Sequence, residues 1–222
     1  MNRRRIHTIR IAAGLLLLGA VAAAAYDNGD WQVWNTDSTE FPVSRSMKIK
    51  AETQFYFGDS ASDFYYAHVD AGLAWKAASW FEAGLYQRYI QEKKGTEWFE
   101  ENRPYLDGIF QGKIGSLTWA NRNRFEYRER EGAAEGWRYR NRLRLLSAKC
   151  WTRLKIQPYA DAEPFYDIRT DSWNQNRLSA GLTFKAASFL KIGLYYMAQF
   201  NRKNGEWSNV NILGVDTKWT FF

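Results

Sequence analysis

From Met47 onward the chain alternates apolar and polar residues along successive segments that are separated by turns. In the segment from Met47 to Phe57, apolar side chains fall on odd-numbered positions, and the lysines and the glutamate fall on even-numbered ones. A period of two residues is that of a β-strand, because successive side chains of a strand point to opposite faces. Ten such segments follow one another along the sequence. The pattern predicts an all-β fold, a single antiparallel transmembrane β-barrel.

The predicted barrel occupies residues 46–222, and the number of its strands depends on the residues before it. Asp30 to Phe41 alternates poorly and is followed by Pro42. Residues 26–45 are therefore predicted to be either an N-terminal lead or a weak first strand. Because bacterial barrels prefer even numbers of strands, we expect ten strands, with twelve as the alternative.

Tryptophans gather near the ends of the predicted strands. Short connections such as Lys76–Ser79 alternate with longer polar ones such as Glu129–Glu135, as periplasmic turns alternate with outer loops in such barrels. Tryptophan is enriched at the two water interfaces of a bilayer. The sequence predicts an aromatic girdle of two rings. They consist of Trp75, Trp80, Trp119, Trp151 and Trp219 beside the short turns and of Trp98, Trp137, Trp173 and Trp207 beside the long ones.

The first 25 residues have the features of a secretory signal peptide. Arg3–Arg5 and Arg10 form a positive segment, Ile11–Val21 an apolar one, and small residues up to Ala25 a cleavage site. Without the four signal arginines, 27 basic residues remain against 24 acidic ones, a net charge of +3. This small charge argues against a nucleic-acid partner. We expect export to the cell outer membrane, with outer-membrane lipid and the barrel-assembly machinery as partners.

Two segments between Arg122 and Arg144 carry charge at every second residue. An arginine that faces lipid at the bilayer midplane costs about 2–4 kcal/mol, so these arginines are predicted to face the lumen. The predicted lumen arginine ladder consists of Arg122, Arg124, Arg128, Arg130, Arg138, Arg140, Arg142 and Arg144. Because a buried charge needs a partner, acidic partners are predicted as well. They are Glu126, Asp161, Glu163, Asp167 and Asp107.

The ladder admits two interpretations, and a third possibility involves the histidine. It is either a structural salt-bridge lattice, with at most a small pore, or the lining of a narrow porin for anionic oligosaccharides or acidic solutes. The third is a lipid-modifying or proteolytic barrel enzyme that uses His68, which is followed by Asp70 and preceded by Ser60 and Ser62. Spacing alone does not define a triad. We expect no enzyme activity, and we predict no catalytic residue, metal site or cofactor.

The chain repeats itself at an offset of 109 residues. The segment from Ala71 to Ser79 matches the segment from Ala180 to Ser188, and Leu85-Tyr86 matches Leu194-Tyr195. Either four strands before the arginine segments correspond to four strands after them, or hairpins with similar structural demands have converged.

Several short motifs resemble a bacterial outer-membrane family. They are Arg103-Pro-Tyr-Leu106, Arg124-Phe-Glu-Tyr-Arg128, Trp137-Arg-Tyr-Arg-Asn-Arg142, Phe165-Tyr-Asp167, Asn176-Arg-Leu178, Gly193-Leu-Tyr-Tyr-Met197 and the terminal Phe222. Together they resemble DUF2490, a domain of unknown function, from about Trp31 to Phe222. The resemblance implies an outer-membrane β-barrel and carries no known activity, so it implies no catalytic residue. Phe222 has the parity of the polar residues of the last segment, unlike the usual end of outer-membrane barrels.

Overall fold

The structure is a computed structural model that describes residues 28–221. The predicted signal peptide and Phe222 lie outside this range. The described chain forms eleven strands: β1 (Trp31–Pro42), β2 (Met47–Gly58), β3 (Asp63–Lys76), β4 (Phe81–Lys94), β5 (Glu97–Ile114), β6 (Leu117–Arg130), β7 (Gly136–Ser147), β8 (Gln157–Asp167), β9 (Ser172–Ala187), β10 (Leu190–Lys203) and β11 (Glu206–Thr220). Residues 28–221 contain no helix long and apolar enough to cross a membrane.

The eleven strands form one closed barrel in which each strand pairs antiparallel with the next along the chain. The barrel closes where β1 pairs in parallel with β11, from Trp31 opposite Asn211 to Glu40 opposite Thr220. The observed number of eleven strands corrects the expected even number of ten or twelve. An odd number is possible because the first and last strands pair in parallel. The additional strand is β1. Its alternation is poor because an aromatic ring, Trp34, faces inward beside the polar Gln32.

Apolar side chains cover the outside of the barrel, and charged side chains fill the inside. On the outer surface Leu85 is 60% exposed and Leu106 is 57% exposed. On the inner surface Arg124 and Glu126 are buried, as are many other ionisable side chains. This polarity is the reverse of that of a water-soluble barrel, whose core is apolar. The predicted alternation therefore separates the two faces of the wall.

The connections between strands lie at two rims that differ in charge. The acidic rim consists of connections 59–62, 95–96, 131–135, 168–171 and 204–205; the basic rim consists of connections 43–46, 77–80, 115–116, 148–156 and 188–189. The basic-rim connections contain arginine and lysine but neither aspartate nor glutamate. The predicted difference in loop length is wrong. Strands such as β4 and β10 extend into the expected long loops, and the longest connection, 148–156, lies at the basic rim.

Tryptophans on the outer face lie near both rims. Trp98, Trp137, Trp173 and Trp207 are exposed near the acidic rim, where Trp31 joins them. Near the basic rim Trp75 and Trp80 are exposed, Trp119 and Trp219 are half-buried, and Trp219 stacks on Phe189. Trp151 differs from the prediction, because it lies in connection 148–156 and makes only an isolated bridge with Ile156. The outer face thus carries aromatic side chains at both ends of its apolar belt.

The two copies of the sequence repeat share one packing arrangement. Tyr86 lies opposite Gly72, and Tyr195 lies opposite Gly181. A Cβ atom on Gly72 would lie 2.5 Å from the Tyr86 ring, and one on Gly181 would lie 2.8 Å from Tyr195 Cβ. Only glycine lets the neighbouring strand and its aromatic side chain come this close. The match between the two segments therefore reflects equivalent tyrosine-over-glycine contacts inside the barrel wall.

Candidate functional site

Seven of the eight predicted ladder arginines line the lumen, and one does not. Arg122, Arg124, Arg128, Arg138, Arg140, Arg142 and Arg144 border the internal cavity. Arg130 is the exception and corrects the prediction. It lies beside the acidic rim, and its Nη2 donates a hydrogen bond to the carbonyl oxygen of Ala134 at 2.6 Å.

Glu126 is the centre of a buried cluster of arginines. Its side chain has no exposed surface, and its carboxylate lies 2.6 Å from Arg138 Nη2 and 2.8 Å from Arg140 Nη1. Arg124 and Arg103 follow at 3.8 Å and 3.9 Å. Strands β5, β6 and β7 supply these side chains, so the cluster links three neighbouring strands on the inner face of the wall.

Glu163 on β8 is a second centre. Its Oε1 accepts hydrogen bonds from Arg122 Nη2 at 2.5 Å and from Arg140 Nη2 at 3.0 Å. Arg177 of β9 lies 3.9 Å from its other oxygen. One carboxylate therefore serves three arginines. Because Arg140 also contacts Glu126, the two centres form one continuous network.

Three further ion pairs are bidentate, with two hydrogen bonds each. They join Arg124 to Asp107 at 2.7 and 2.8 Å, Arg144 to Asp161 at 2.6 and 2.5 Å, and Arg128 to Glu101 at 2.7 and 2.8 Å. Bidentate guanidinium–carboxylate pairs fix geometry as well as charge. The structure thus places four of the five predicted acidic partners within the lattice.

The prediction is wrong for the fifth acidic partner, Asp167, which does not join the lattice. Its Oδ1 accepts hydrogen bonds from the backbone N–H groups of Arg169 and Thr170, so it caps the connection 168–171.

Sequence reasoning also missed lattice members, chiefly Glu101 and Arg103. Arg103 Nη2 lies 2.7 Å from Glu101 Oε1. The available signal was the spacing of two residues, which puts Glu101 and Arg103 on the same strand face as Asp107.

A second network lies on β2 to β5. Asp70 Oδ2 accepts hydrogen bonds from Arg88 Nε at 2.8 Å and Nη2 at 2.7 Å, and from Tyr105 Oη at 2.5 Å. Arg88 Nη2 also lies 3.3 Å from Glu52 Oε1. The guanidinium of Arg88 therefore joins two carboxylates inside the barrel.

His68 adjoins this second network and is completely buried. Its Nε2 lies 3.3 Å from Glu52 Oε1, and its Nδ1 lies 3.1 Å from the Tyr66 hydroxyl. The serines considered beside it lie in connection 59–62, where the backbone N–H of Ser60 donates to Asp30 and Ser62 donates to Asp59. Neither serine contacts His68, so the structure does not assemble the serine–histidine pair considered from the sequence.

Glu52, His68 and Asp70 form the one group of possible metal ligands found among residues 28–221. Their ligand atoms lie within 4.8 Å of one another. Arg88 donates hydrogen bonds to both carboxylates of the group. The guanidinium already supplies the positive charge that these carboxylates need, so the arrangement fits an arginine-centred network better than a metal site.

The lumen contains two chambers, with volumes of about 650 and 730 Å³. The first extends toward the acidic rim, where Asn201 and Lys203 border it, and the second toward the basic rim, where Ser188 and Thr220 border it. Eight residues line both chambers, and we call them the arginine belt. They are Thr36, Glu52, Arg122, Arg124, Arg142, Arg144, Tyr159 and Asp216. The two chambers therefore meet at a zone of high arginine density.

The lining of the two chambers carries an excess of positive charge. Sixteen cationic and eight anionic side chains border them together. Glu101 and Glu126 lie in the wall next to this surface and do not remove the excess. Among residues 28–221, no carboxylate lies within ion-pair distance of Arg142. The lumen surface is therefore suited to attract anions.

These features define a closed β-barrel with an apolar exterior and a salt-bridged, cationic interior. A family model described as "Protein of unknown function (DUF2490)" matches residues 31–210, a range that begins at the first residue of β1. The chain belongs to this family. Comparison with curated proteins and with solved structures returned no match.

Proposed function

We propose that the protein is an outer-membrane β-barrel with a non-enzymatic role, in which the salt-bridge lattice supports the wall around a small pore. The apolar belt on the outside supports a membrane environment, because this surface has no other apolar partner among residues 28–221. Exposed tryptophans at both ends of the belt support two lipid–water interfaces. The inward charges would then avoid contact with lipid. An arginine in contact with lipid at the bilayer midplane would cost about 2–4 kcal/mol.

We assign no reaction to the protein because of the surroundings of His68. Both ring nitrogens have partners, and the side chain is completely buried. The lattice arginines are held by Asp107, Glu126 and Glu163, as expected for groups that stabilise the wall. Activity assays of the folded barrel against phospholipid and peptide substrates test this part. Turnover that is lost in a His68→Asn variant would overturn it.

A second, finer function is a narrow passage for small anionic solutes. One observation carries it, the twofold excess of cationic over anionic side chains along both chambers. A cleft lined by one sign of charge concentrates ions of the opposite sign. Solutes that enter from either rim would meet the arginine belt, whose Arg142 has no carboxylate partner within the described chain.

Location is tested by fractionating cells that express the tagged protein and by heat-modifiable mobility on gels. We expect recovery with outer membranes and a folded form that migrates differently from the boiled form. Recovery as a detergent-free soluble monomer would overturn the membrane assignment.

The passage is tested by conductance in planar bilayers under a salt gradient. We expect small channels with a reversal potential that indicates anion preference. Arg142→Gln should lower that preference, whereas the matched charge change Arg45→Gln, in the exposed connection 43–46, should leave it unchanged. A folded barrel without conductance would leave only the structural role, and cation preference would contradict the role of the lining.

A further inference from the structure

Two arginines face each other at the centre of the lumen. Arg122 of β6 and Arg142 of β7 lie directly opposite in the strand register. Side chains at opposite positions of an antiparallel pair are close neighbours, and like charges there are destabilising. The next such pair, Arg124 and Arg140, is compensated, because each of its members has a carboxylate at 2.8 Å or less. In the Arg122–Arg142 pair only Arg122 has such a carboxylate, that of Glu163 at 2.5 Å.

The donors of this pair are only partly used. Arg122 Nη2 donates to Glu163, a carboxylate shared with Arg140, while Arg122 Nε is buried and has no acceptor. The Arg142 side chain has no hydrogen bond or ion pair with any residue of the range 28–221. A buried donor without an acceptor is costly. The Arg142 guanidinium therefore presents unused donors to the lumen directly opposite Arg122, whose side chain is 12% exposed and whose Nε is buried.

The carboxylates of the arginine belt do not compensate the pair. Glu52 contacts Arg88 and His68, and within the described residues neither Glu52 nor Asp216 lies within ion-pair distance of Arg122 or Arg142. Both arginines border both chambers, so an ion that enters from either rim reaches them. The cluster thus has positive charge, unused donors and access, and Glu163 is the one carboxylate of residues 28–221 within ion-pair distance of it.

We propose that Arg122 and Arg142 form a binding site for a small tetrahedral oxyanion, a phosphate or sulfate group. The inference rests on the proposed role of the lumen as a solvent-reachable passage. Guanidinium groups present fixed forks of N–H donors that match the oxygens of such anions. A dianion with four acceptor oxygens can accept from both arginines at once, whereas chloride is a single charge without directional oxygens. The anion would replace the missing carboxylate of the like-charged pair.

The test measures binding directly and does not depend on conductance. The folded barrel in detergent is titrated with inorganic phosphate, inorganic sulfate or chloride at constant ionic strength, with isothermal calorimetry and the unfolding temperature as readouts. We expect saturable binding and a rise of the unfolding temperature with the two oxyanions and not with chloride. A short-chain dicarboxylate serves as a further arm, because it separates a preference for tetrahedral groups from a preference for any dianion.

Two variants localise the site, and one serves as a control. Arg142→Gln should weaken phosphate binding at least tenfold. Its folding should be preserved because Arg142 has no carboxylate to leave unpaired. Arg122→Lys keeps the positive charge beside Glu163 but removes the planar fork of guanidinium donors, and it should weaken binding without abolishing it. Arg45→Gln makes the same charge change as Arg142→Gln in connection 43–46 and should bind like the wild type.

The outcomes separate this inference from the proposed function. Equal effects of chloride and phosphate, or equal binding by wild type and Arg142→Gln, would overturn the site while leaving a conducting pore intact. Saturable, Arg142-dependent binding by a barrel that does not conduct would support the site and contradict the passage. If Arg142→Gln does not fold, unchanged binding by Arg122→Lys would overturn the assignment of the Arg122 guanidinium and with it the paired site.

Discussion

Replacing the buried carboxylate of Glu126 by an amide should destabilise the barrel strongly. Glu126→Gln preserves volume and one acceptor oxygen but removes the negative charge between Arg138 and Arg140. Arg140 retains Glu163 at 3.0 Å. Arg138 is left without a carboxylate within ion-pair distance among residues 28–221. The substitution therefore isolates one arginine completely and weakens the environment of a second.

The magnitude follows from the burial of this pair. Glu126 is completely buried and the Arg138 side chain is 10% exposed, and removing one partner of such a pair costs about 3–5 kcal/mol. A matched control is the pair Lys93–Asp63, which has the same nitrogen–oxygen distance of 2.6 Å but side chains that are 27% and 34% exposed. Solvent screening reduces the value of such a pair to about 0–1 kcal/mol. Asp63→Asn should therefore change stability little.

The measurement is equilibrium unfolding in urea of barrels folded into vesicles, followed by tryptophan fluorescence and gel mobility. We expect the free energy of unfolding to fall by about 3–5 kcal/mol in Glu126→Gln and to recover in part when Arg138→Leu is added, because the isolated charge is then removed. If Glu126→Gln and Asp63→Asn lose equally little, water screens the interior, and the assignment of a structural lattice is wrong.

Three further changes test other parts of the wall. Leu85→Arg, on the apolar belt, should cost about 2–4 kcal/mol in vesicles, and an unchanged unfolding midpoint there would contradict lipid contact. Gly181→Ala places a Cβ 2.5 Å from a backbone oxygen and should cost about 1–3 kcal/mol, whereas Gly108→Ala, with nothing closer than 3.6 Å, should leave the unfolding free energy nearly unchanged. Tyr105→Phe removes the hydrogen bond to Asp70 and should cost about 1.5–3 kcal/mol by urea unfolding; a wild-type midpoint would mean that water replaces the hydroxyl.

Sequence reasoning could predict which face of each strand a residue occupies, because the period of two does not depend on the partner strand. This is why the alternation alone places Arg140 in the interior, without any knowledge of which strands pair. The energetic cost of arginine in lipid then decided which face was inside. The closed barrel and its charged lumen follow from these two considerations alone.

Partner choice could not be predicted, because it depends on register across the wall. Glu126 lies opposite Arg138, but Arg140 reaches Glu163 diagonally on the next strand, and Tyr105 of β5 reaches Asp70 of β3 across the intervening strand. No spacing along the sequence contains this information. The strand count failed for a related reason, since β1 is recognisable as a strand only through its pairing with β2 and β11.

The parallel seam between β1 and β11 determines where the barrel's first and last strands end. β1 begins at the acidic rim, and β11 finishes at the basic rim. With about 3.3 Å per residue, the 12 residues of β1 separate these points by about 40 Å. A short linker could not join them, so a circularly permuted chain would need a connector long enough to run the height of the wall. In the proposed membrane-spanning barrel, two epitopes, one before β1 and one after β11, would lie on opposite sides of the membrane and would report the orientation of each molecule.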